Sequence, residues 1–336
     1  MIKRVFAALA IAAAGAGLLA GVGTARGDGG FGEKAPDFPP GVFSDGGRYQ
    51  ISDFARKVVV LFFYESTCPR CRGMVPERNA FIAKYKDKPV KFIAIEAHDS
   101  AATAADYIRG TKLAYTVFAD PLRIMERRYG MTISLENIYQ FRIIDGSGKI
   151  VAMTDDMLER VLETTKWKYK EKGYDAALNK AIDLLEWNQF EAGMKLLNPL
   201  RKSASKATAE SAEKLFGEIK KEGEAWKAEA EKALAENPSR AYDLYTKISA
   251  CFPGDELAKD ADEHLKKLKV DPAMKKELEA RAEYAQLYAA MGKATPTDHG
   301  AVMQFCRKLQ AKYEGTPTAE KARELTAEII LASQMK

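Results

Sequence analysis

The sequence has few of the residues from which metal and nucleic-acid sites are made. Its three histidines, His98, His264 and His299, are scattered, and its four cysteines supply one Cys-x-x-Cys and no second. A structural zinc site needs four ligands at close spacing, so only half a site could be assembled. No metal or other cofactor is implied. Excess charge of one sign is also missing: 52 Lys and Arg against 47 Asp and Glu leave a formal +5, too weak and too mixed for a nucleic-acid surface.

Long apolar runs are confined to residues 5–22. Lys3 and Arg4 precede that Ala- and Gly-rich stretch and Gly23-Thr24-Ala25 follows it, the pattern of a signal peptide over residues 1–25 cut after Ala25. Left uncut, the run would anchor the chain in a membrane, and no cysteine follows closely enough for a lipid anchor. Either way the bulk of the protein is expected to be exported, to the periplasm or another extracytoplasmic space, where thiols can be oxidised.

With 336 residues and 46% hydrophobic content, the chain can form two domains with real cores once the leader is removed. Residues 26–42, rich in Gly and carrying Pro36, Pro39 and Pro40, read as a flexible or extended lead-in. Strand signals follow over 43–155. Beyond Asp155 they give way to Ala, Glu, Lys and Leu at helical spacing, with 156–173 expected to link the halves as a helix.

One stretch organises the rest. Val58-Val59-Val60-Leu61-Phe62-Phe63-Tyr64 empties through Glu65-Ser66-Thr67 into Cys68-Pro69-Arg70-Cys71, and residues able to start a helix follow. A helix beginning at Cys68 puts Cys71 one turn on, so the two thiols can close a small ring. Unpaired N–H groups and the positive end of the helix dipole favour thiolate at Cys68. Cys68 is therefore expected to be the exposed nucleophile and Cys71 the resolving thiol beneath it, with Arg70 adding a cation between them. A stabilised reduced form makes the disulfide more oxidising. A purely structural disulfide would not need a helix N-terminus.

Together with Lys34-Ala35-Pro36-Asp37-Phe38, Pro76, Phe92-Ile93-Ala94-Ile95, Phe118-Ala119-Asp120-Pro121, Tyr129-Gly130 and Phe141-Arg142-Ile143-Ile144-Asp145, this stretch resembles a thioredoxin-like α/β domain. It is most similar to the exported thiol-disulfide oxidoreductases related to cytochrome c biogenesis proteins and to the alkyl hydroperoxide reductase and thiol-specific antioxidant superfamily. The resemblance implies a protein disulfide or dithiol as substrate, catalytic Cys68 and Cys71, and a site shaped by Pro69, Arg70 and the helix-kinking Pro76. Tyr139 stands where the family carries a cis-proline, and a cis bond before a non-proline residue costs roughly 2.5–4 kcal/mol, so a trans peptide and an altered groove are expected there. A small insertion at Ile133-Ser134-Leu135-Glu136-Asn137 alters the same wall. Thr67 replaces the family's frequent tryptophan and Met74 its frequent glutamate, so the thiols need another proton donor. Glu65 occupies the position of the peroxidase threonine, which argues against a peroxidase.

Elsewhere in this domain, Ser100 is a candidate N-cap for a helix over 100–109. His98 and Asp99 fall on the loop at the carboxyl end of a strand over 90–95, where ligands bind in open α/β sheets. His98 could move a proton there, or be an ordinary solvated loop histidine. Trp167 fits either a binding surface or a cover for the domain junction.

Over 174–336 the spacing predicts helical hairpins: Ala177 to Leu185 with Phe190, Met194 and Leu197; Trp226 to Ala235 with Ala241, Leu244, Tyr245 and Ile248; Tyr284 to Met291 with Val302, Phe305, Leu309 and Tyr313. This half resembles tetratricopeptide-type repeats, loosely and with uneven spacing, and such a stack would offer a concave face to a protein partner. A plain bundle that buttresses the redox domain fits the same residues. Cys251 and Cys306 could be buried thiols or one disulfide between neighbouring hairpins. Two functions stand: an exported thiol-disulfide oxidoreductase whose helices recruit a partner, or an interaction scaffold with a degenerate thioredoxin-like domain.

Overall fold

The computed structural model describes residues 30–134, 137–138, 140–291 and 298–334. The expected signal peptide, Leu135 and Glu136 of the insertion, and Tyr139 lie outside the described residues.

The elements of the first half are β1 (Val42–Phe43), β2 (Val58–Tyr64), α1 (Pro69–Gly73), α2 (Val75–Lys84), β3 (Val90–Ala97), α3 (Ala101–Thr111), β4 (Thr116–Asp120), α4 (Ile124–Arg128), β5 (Gln140–Ile144) and β6 (Ile150–Ala152). The strands form one sheet in the order β1-β4-β3-β2-β5-β6. β2, β3 and β4 run parallel, and the outer pairings are antiparallel. All seven residues of β2 are buried because both faces of this central strand are covered, so its sequence is continuously apolar instead of alternating. The alternation survives in where the side chains go. Val58, Val60, Phe62 and Tyr64 join the core that holds Cys68 and Cys71, while Val59, Leu61 and Phe63 join the core on the opposite face. On β3, Phe92 and Ala94 share the dithiol face, and Glu96 is next in that series.

The redox helix is split at Met74 into α1 and α2, with Pro76 in the first turn of α2, where its missing N–H costs no hydrogen bond. α3 starts at its expected cap, Ser100 Oγ accepting from the Thr103 N–H at 3.2 Å. The segment 156–173 is not one helix: it holds the end of a 3-10 turn at Asp155–Met157, then α5 (Leu158–Glu163) and a further 3-10 turn at Lys170–Lys172. The Thr164 and Thr165 hydroxyls turn back onto the Val161 carbonyl, which competes with continued helix.

The second half is all α: α6 (Asn179–Glu186), α7 (Phe190–Leu200), α8 (Lys206–Glu236), α9 (Pro238–Cys251), α10 (Glu256–Val270), α11 (Pro272–Met291), α12 (His299–Lys312) and α13 (Pro317–Ala332). α6 packs on α7, α8 on α9, α9 on α10 and α12 on α13. Helix length runs from 8 residues in α6 to 31 in α8, so the described helices do not share one length of repeat.

The two halves share buried surface. Leu122 and Ile124, on and just before α4, belong to the same core as Ala280, Leu287, Cys306, Leu309 and Ala322 of the last three helices. Arg127 and Arg128 both bind the carboxylate of Glu328 on α13, at 2.6 and 2.7 Å. At the other end Trp187 packs edge-on against Phe54, and the Trp167 indole N–H donates to the Asp87 carbonyl at 3.2 Å while its ring meets Trp187. Trp167 thus covers the junction.

Candidate active site

Cys68 is the N-cap of α1, in extended backbone (φ −76°, ψ 114°), and Pro69 follows as the first helical residue. The cap folds Cys68 Sγ back over the helix end, where it accepts the Cys71 N–H at 3.2 Å. This geometry corrects the expectation of an exposed nucleophile: Cys68 is 4% exposed and Cys71 1%. A sulfur turned onto its own helix end, in one core with Met74 and Ile138, keeps little open surface. Both cysteines are free thiols. Burial, reinforced by the neighbouring Cys68, pushes the Cys71 thiol up to about 12, so Cys71 keeps its proton at neutral pH. Arg70 and Arg72 both lie on the short α1, and the Arg72 guanidinium sits 5.3 Å over the Tyr107 ring.

Behind the dithiol lies a carboxyl cluster. Glu96, at the end of β3 and fully buried, pairs in register with Tyr64 at the end of β2. Its Oε1 accepts the Ser66 N–H at 3.1 Å and meets Ser66 Oγ at 2.7 Å, and its Oε2 accepts the Asp99 N–H at 2.8 Å. Ser66 Oγ also meets Asp99 Oδ2 at 2.6 Å. Burial, with the nearby Asp99 adding to it, pushes the Glu96 carboxyl up to about 8 against the hydrogen bonds that oppose the shift. The Tyr64 and Tyr107 rings pack tilted to each other at 4.9 Å between centroids, and the buried Tyr64 hydroxyl has no hydrogen-bond partner. The sequence pattern ends this strand at Ile95, whereas β3 runs on to Ala97 and so carries Glu96 to the ends of the strands beside Tyr64 and Ser66. An acid following Val90, Phe92 and Ala94 on one otherwise apolar face of the strand is the available signal.

His98 is a half-buried loop residue held at both ring nitrogens. Its Nδ1 lies 2.7 Å from Glu65 Oε1 and its Nε2 2.9 Å from Glu126 Oε2, with the backbone at φ +90°. Cys251 and Cys306 are free and fully buried in different cores, which overturns the disulfide alternative. Burial pushes each thiol up to about 11, as expected of small inert hydrophobes.

Residues 31–178 match the Redoxin family model. The thiol-disulfide oxidoreductase ResA of Bacillus thuringiensis subsp. konkukian is 29% identical over 139 residues, covering 39% of this chain and 76% of that protein. ResA of Halalkalibacterium halodurans is 26% identical over 142 residues, covering 40% and 77%. Among solved structures, a putative thiol:disulfide interchange protein DsbE from Chlorobium tepidum is 28% identical, with a TM-score of 0.35 over 40% of this chain and 96% of that one. The mixed sheet and flanking helices of the first half have a thioredoxin-like fold, and Cys68-x-x-Cys71 is consistent with a CxxC site.

Proposed function

We propose that this chain is an exported thiol-disulfide oxidoreductase acting on a protein disulfide or dithiol. Cys68 attacks a substrate disulfide and forms a mixed disulfide; Cys71 then attacks Cys68 Sγ and releases the substrate thiol, and the cycle can run in reverse to oxidise a dithiol. The observation that carries this is the division of labour at α1: Cys68 Sγ is held at the helix N-terminus by the Cys71 amide, while Cys71 is buried and keeps its proton. In this reading Pro69, Arg70 and Pro76 shape the first two turns around the pair, and Tyr139 is a further site-shaping residue, as the resemblance implies. Export rests on the basic, apolar and small-residue pattern of residues 1–25.

The helical half would act as a repeat-like platform for a partner. A cleft of about 560 Å³ between the lead-in and α9, α11 and α13, lined by Arg128, Arg281, Tyr284, Tyr288 and Glu324, supports this role, since it offers rings and charges of both signs. The test of the activity is turnover of a protein disulfide such as that of insulin with a chemical reductant. Cys68→Ser should abolish it with the fold intact, and unchanged turnover would overturn the mechanism. Burial of both sulfurs is the observation favouring the scaffold alternative. A native Cys68 that fails to react with any small disulfide would decide for it.

A further inference from the structure

Ser66 Oγ lies within hydrogen-bond distance of two carboxyl oxygens, Glu96 Oε1 and Asp99 Oδ2. A hydroxyl carries one proton and can donate to only one of them, so the second contact is a hydrogen bond only if one carboxyl carries a proton itself. The Glu96–Ser66–Asp99 unit therefore stores a proton two residues from Cys68. Its inner member, Glu96, sits on the sheet face where Cys71 is buried, in register with Tyr64. Near both is the Tyr64 hydroxyl, sealed from solvent and without a hydrogen-bond partner, an arrangement that costs about 1–3 kcal/mol. Cys71, Glu96, Asp99 and Tyr107 all bear electrostatically on that hydroxyl, so it stands among the groups that would exchange the proton.

We propose that Glu96, acting through Tyr64 and bridged to Asp99 by Ser66, takes the proton that Cys71 must lose when it resolves the mixed disulfide, and returns it when the dithiol is regenerated. The inference rests on the dithiol activity proposed above and names the residues that would serve in place of the acid missing at Met74. In the forward step the Cys71 S–H bond breaks and its proton passes to the Glu96 carboxylate. The Cys71 sulfur then forms a bond to Cys68 Sγ, and the bond from Cys68 to the substrate sulfur breaks, releasing substrate thiolate. The dithiol is oxidised by two electrons and the substrate disulfide is reduced by two. The fraction of enzyme with Glu96 ionised, which burial holds low at neutral pH, limits the step until the pH passes about 8. The groups facing this unit are Cys71 and Arg72 from α1, Tyr107 from α3, Tyr64 from β2, and Ser66 and Asp99 from the loops after β2 and β3. Glu96 is a positioning residue in this scheme, since it acts on Cys71 through another side chain.

The test is a single-turnover reaction of the reduced full chain with a dipyridyl disulfide across pH. Two equivalents of pyridinethione leave in sequence: the first reports attack by Cys68, the second resolution by Cys71. Glu96→Gln is expected to slow the second phase about 100-fold and remove its inflection near pH 8, with the first phase unchanged. Tyr64→Phe is the control for folding, because it deletes a hydroxyl that makes no hydrogen bond in the protein. A merely structural role leaves its second phase untouched, whereas the relay slows it about tenfold or more. A second phase that keeps its rate and its inflection in both variants overturns the relay and leaves the dithiol activity standing. Absence of the first phase in the unmodified protein overturns that activity, and the relay with it.

Discussion

Lys57 Nζ and Glu186 Oε2 lie 2.7 Å apart with both side chains sealed from solvent, one just before the central strand of the sheet and the other at the end of α6. Glu186 also accepts the backbone N–H groups of Lys168, Tyr169 and Lys170, so its carboxylate is fully satisfied at the domain junction. Burial alone would raise this carboxyl, but Lys57 and the three amides outweigh it and hold Glu186 below the usual carboxylate range.

Breaking this pair from one side leaves an uncompensated charge in a dry site. Lys57→Met or Glu186→Leu should each cost about 3–5 kcal/mol in urea unfolding, whereas the double substitution should recover most of that loss. The pH dependence has a definite sign. Because the folded-state value is depressed, the contribution is present above the unfolded Glu value and is lost as the pH falls through the folded one. A urea series from neutral pH downward should show Lys57→Met losing less stability on acidification than the unmodified protein.

At the dithiol, the raised Cys71 thiol predicts a reactivity order. In a Cys68→Ser variant, alkylation of Cys71 by iodoacetamide should stay slow at neutral pH and rise steadily through alkaline pH, because burial, the largest cause of the raised thiol, remains when the Cys68 sulfur is removed. In a Cys71→Ser variant, the mixed disulfide at Cys68 should accumulate for want of a resolving sulfur. Mass spectrometry of both variants after exposure to a protein disulfide checks the assignment. A trapped adduct on Cys71 instead would reverse the roles.

Close packing of α6 on α7 gives a prediction in which two effects oppose. Gly193 faces α6, and an added Cβ would lie 2.7 Å from Leu185 Cγ and 3.3 Å from the Ala181 carbonyl oxygen. Alanine would gain up to about 1 kcal/mol of helix propensity. The overpacking costs about 1–3 kcal/mol because backbone as well as side chain must give way. Gly193→Ala should therefore be neutral to destabilising by about 2 kcal/mol, while Gly217→Ala, with open space around its Cβ position, should stabilise the same protein. Paired thermal melts decide it.

The sheet and the dithiol helix were legible because β2 is buried on both faces and writes itself as seven apolar residues ending in Cys68-x-x-Cys71. The hairpin turn at Trp187 to Gln189 was legible from helical spacing, and Asn188 there adopts φ +57°, a conformation asparagine tolerates. The burial of Cys68 was not legible, because it depends on which way a cap side chain folds and on Ile138 arriving from seventy residues away. The same holds for Lys57 and Glu186, each of which reads as an ordinary surface charge until the halves are docked. The length of α8 was also missed, since the hairpin pattern marks where helices pack but not where one continues through.

His98 supplies the last test. Its positive φ is strained for a residue with a Cβ, by about 1–2 kcal/mol, so His98→Gly would relieve the backbone. The same change removes two charge-assisted hydrogen bonds, to Glu65 and to the buried Glu126, each of which contributes about 1.5–3 kcal/mol. The bonds win, and the variant should be less stable by about 1–5 kcal/mol at neutral pH. Burial pushes the Glu126 carboxyl up, but His98, the Ile133 amide and Arg123 together hold it below its ordinary range. Its contribution is therefore present above the unfolded Glu value and lost as the pH falls through the folded one. Without His98 that folded value rises, so acid unfolding of His98→Gly should begin at higher pH than in the unmodified protein. An unchanged acid midpoint would mean that Arg123 and the Ile133 amide alone hold Glu126 ionised.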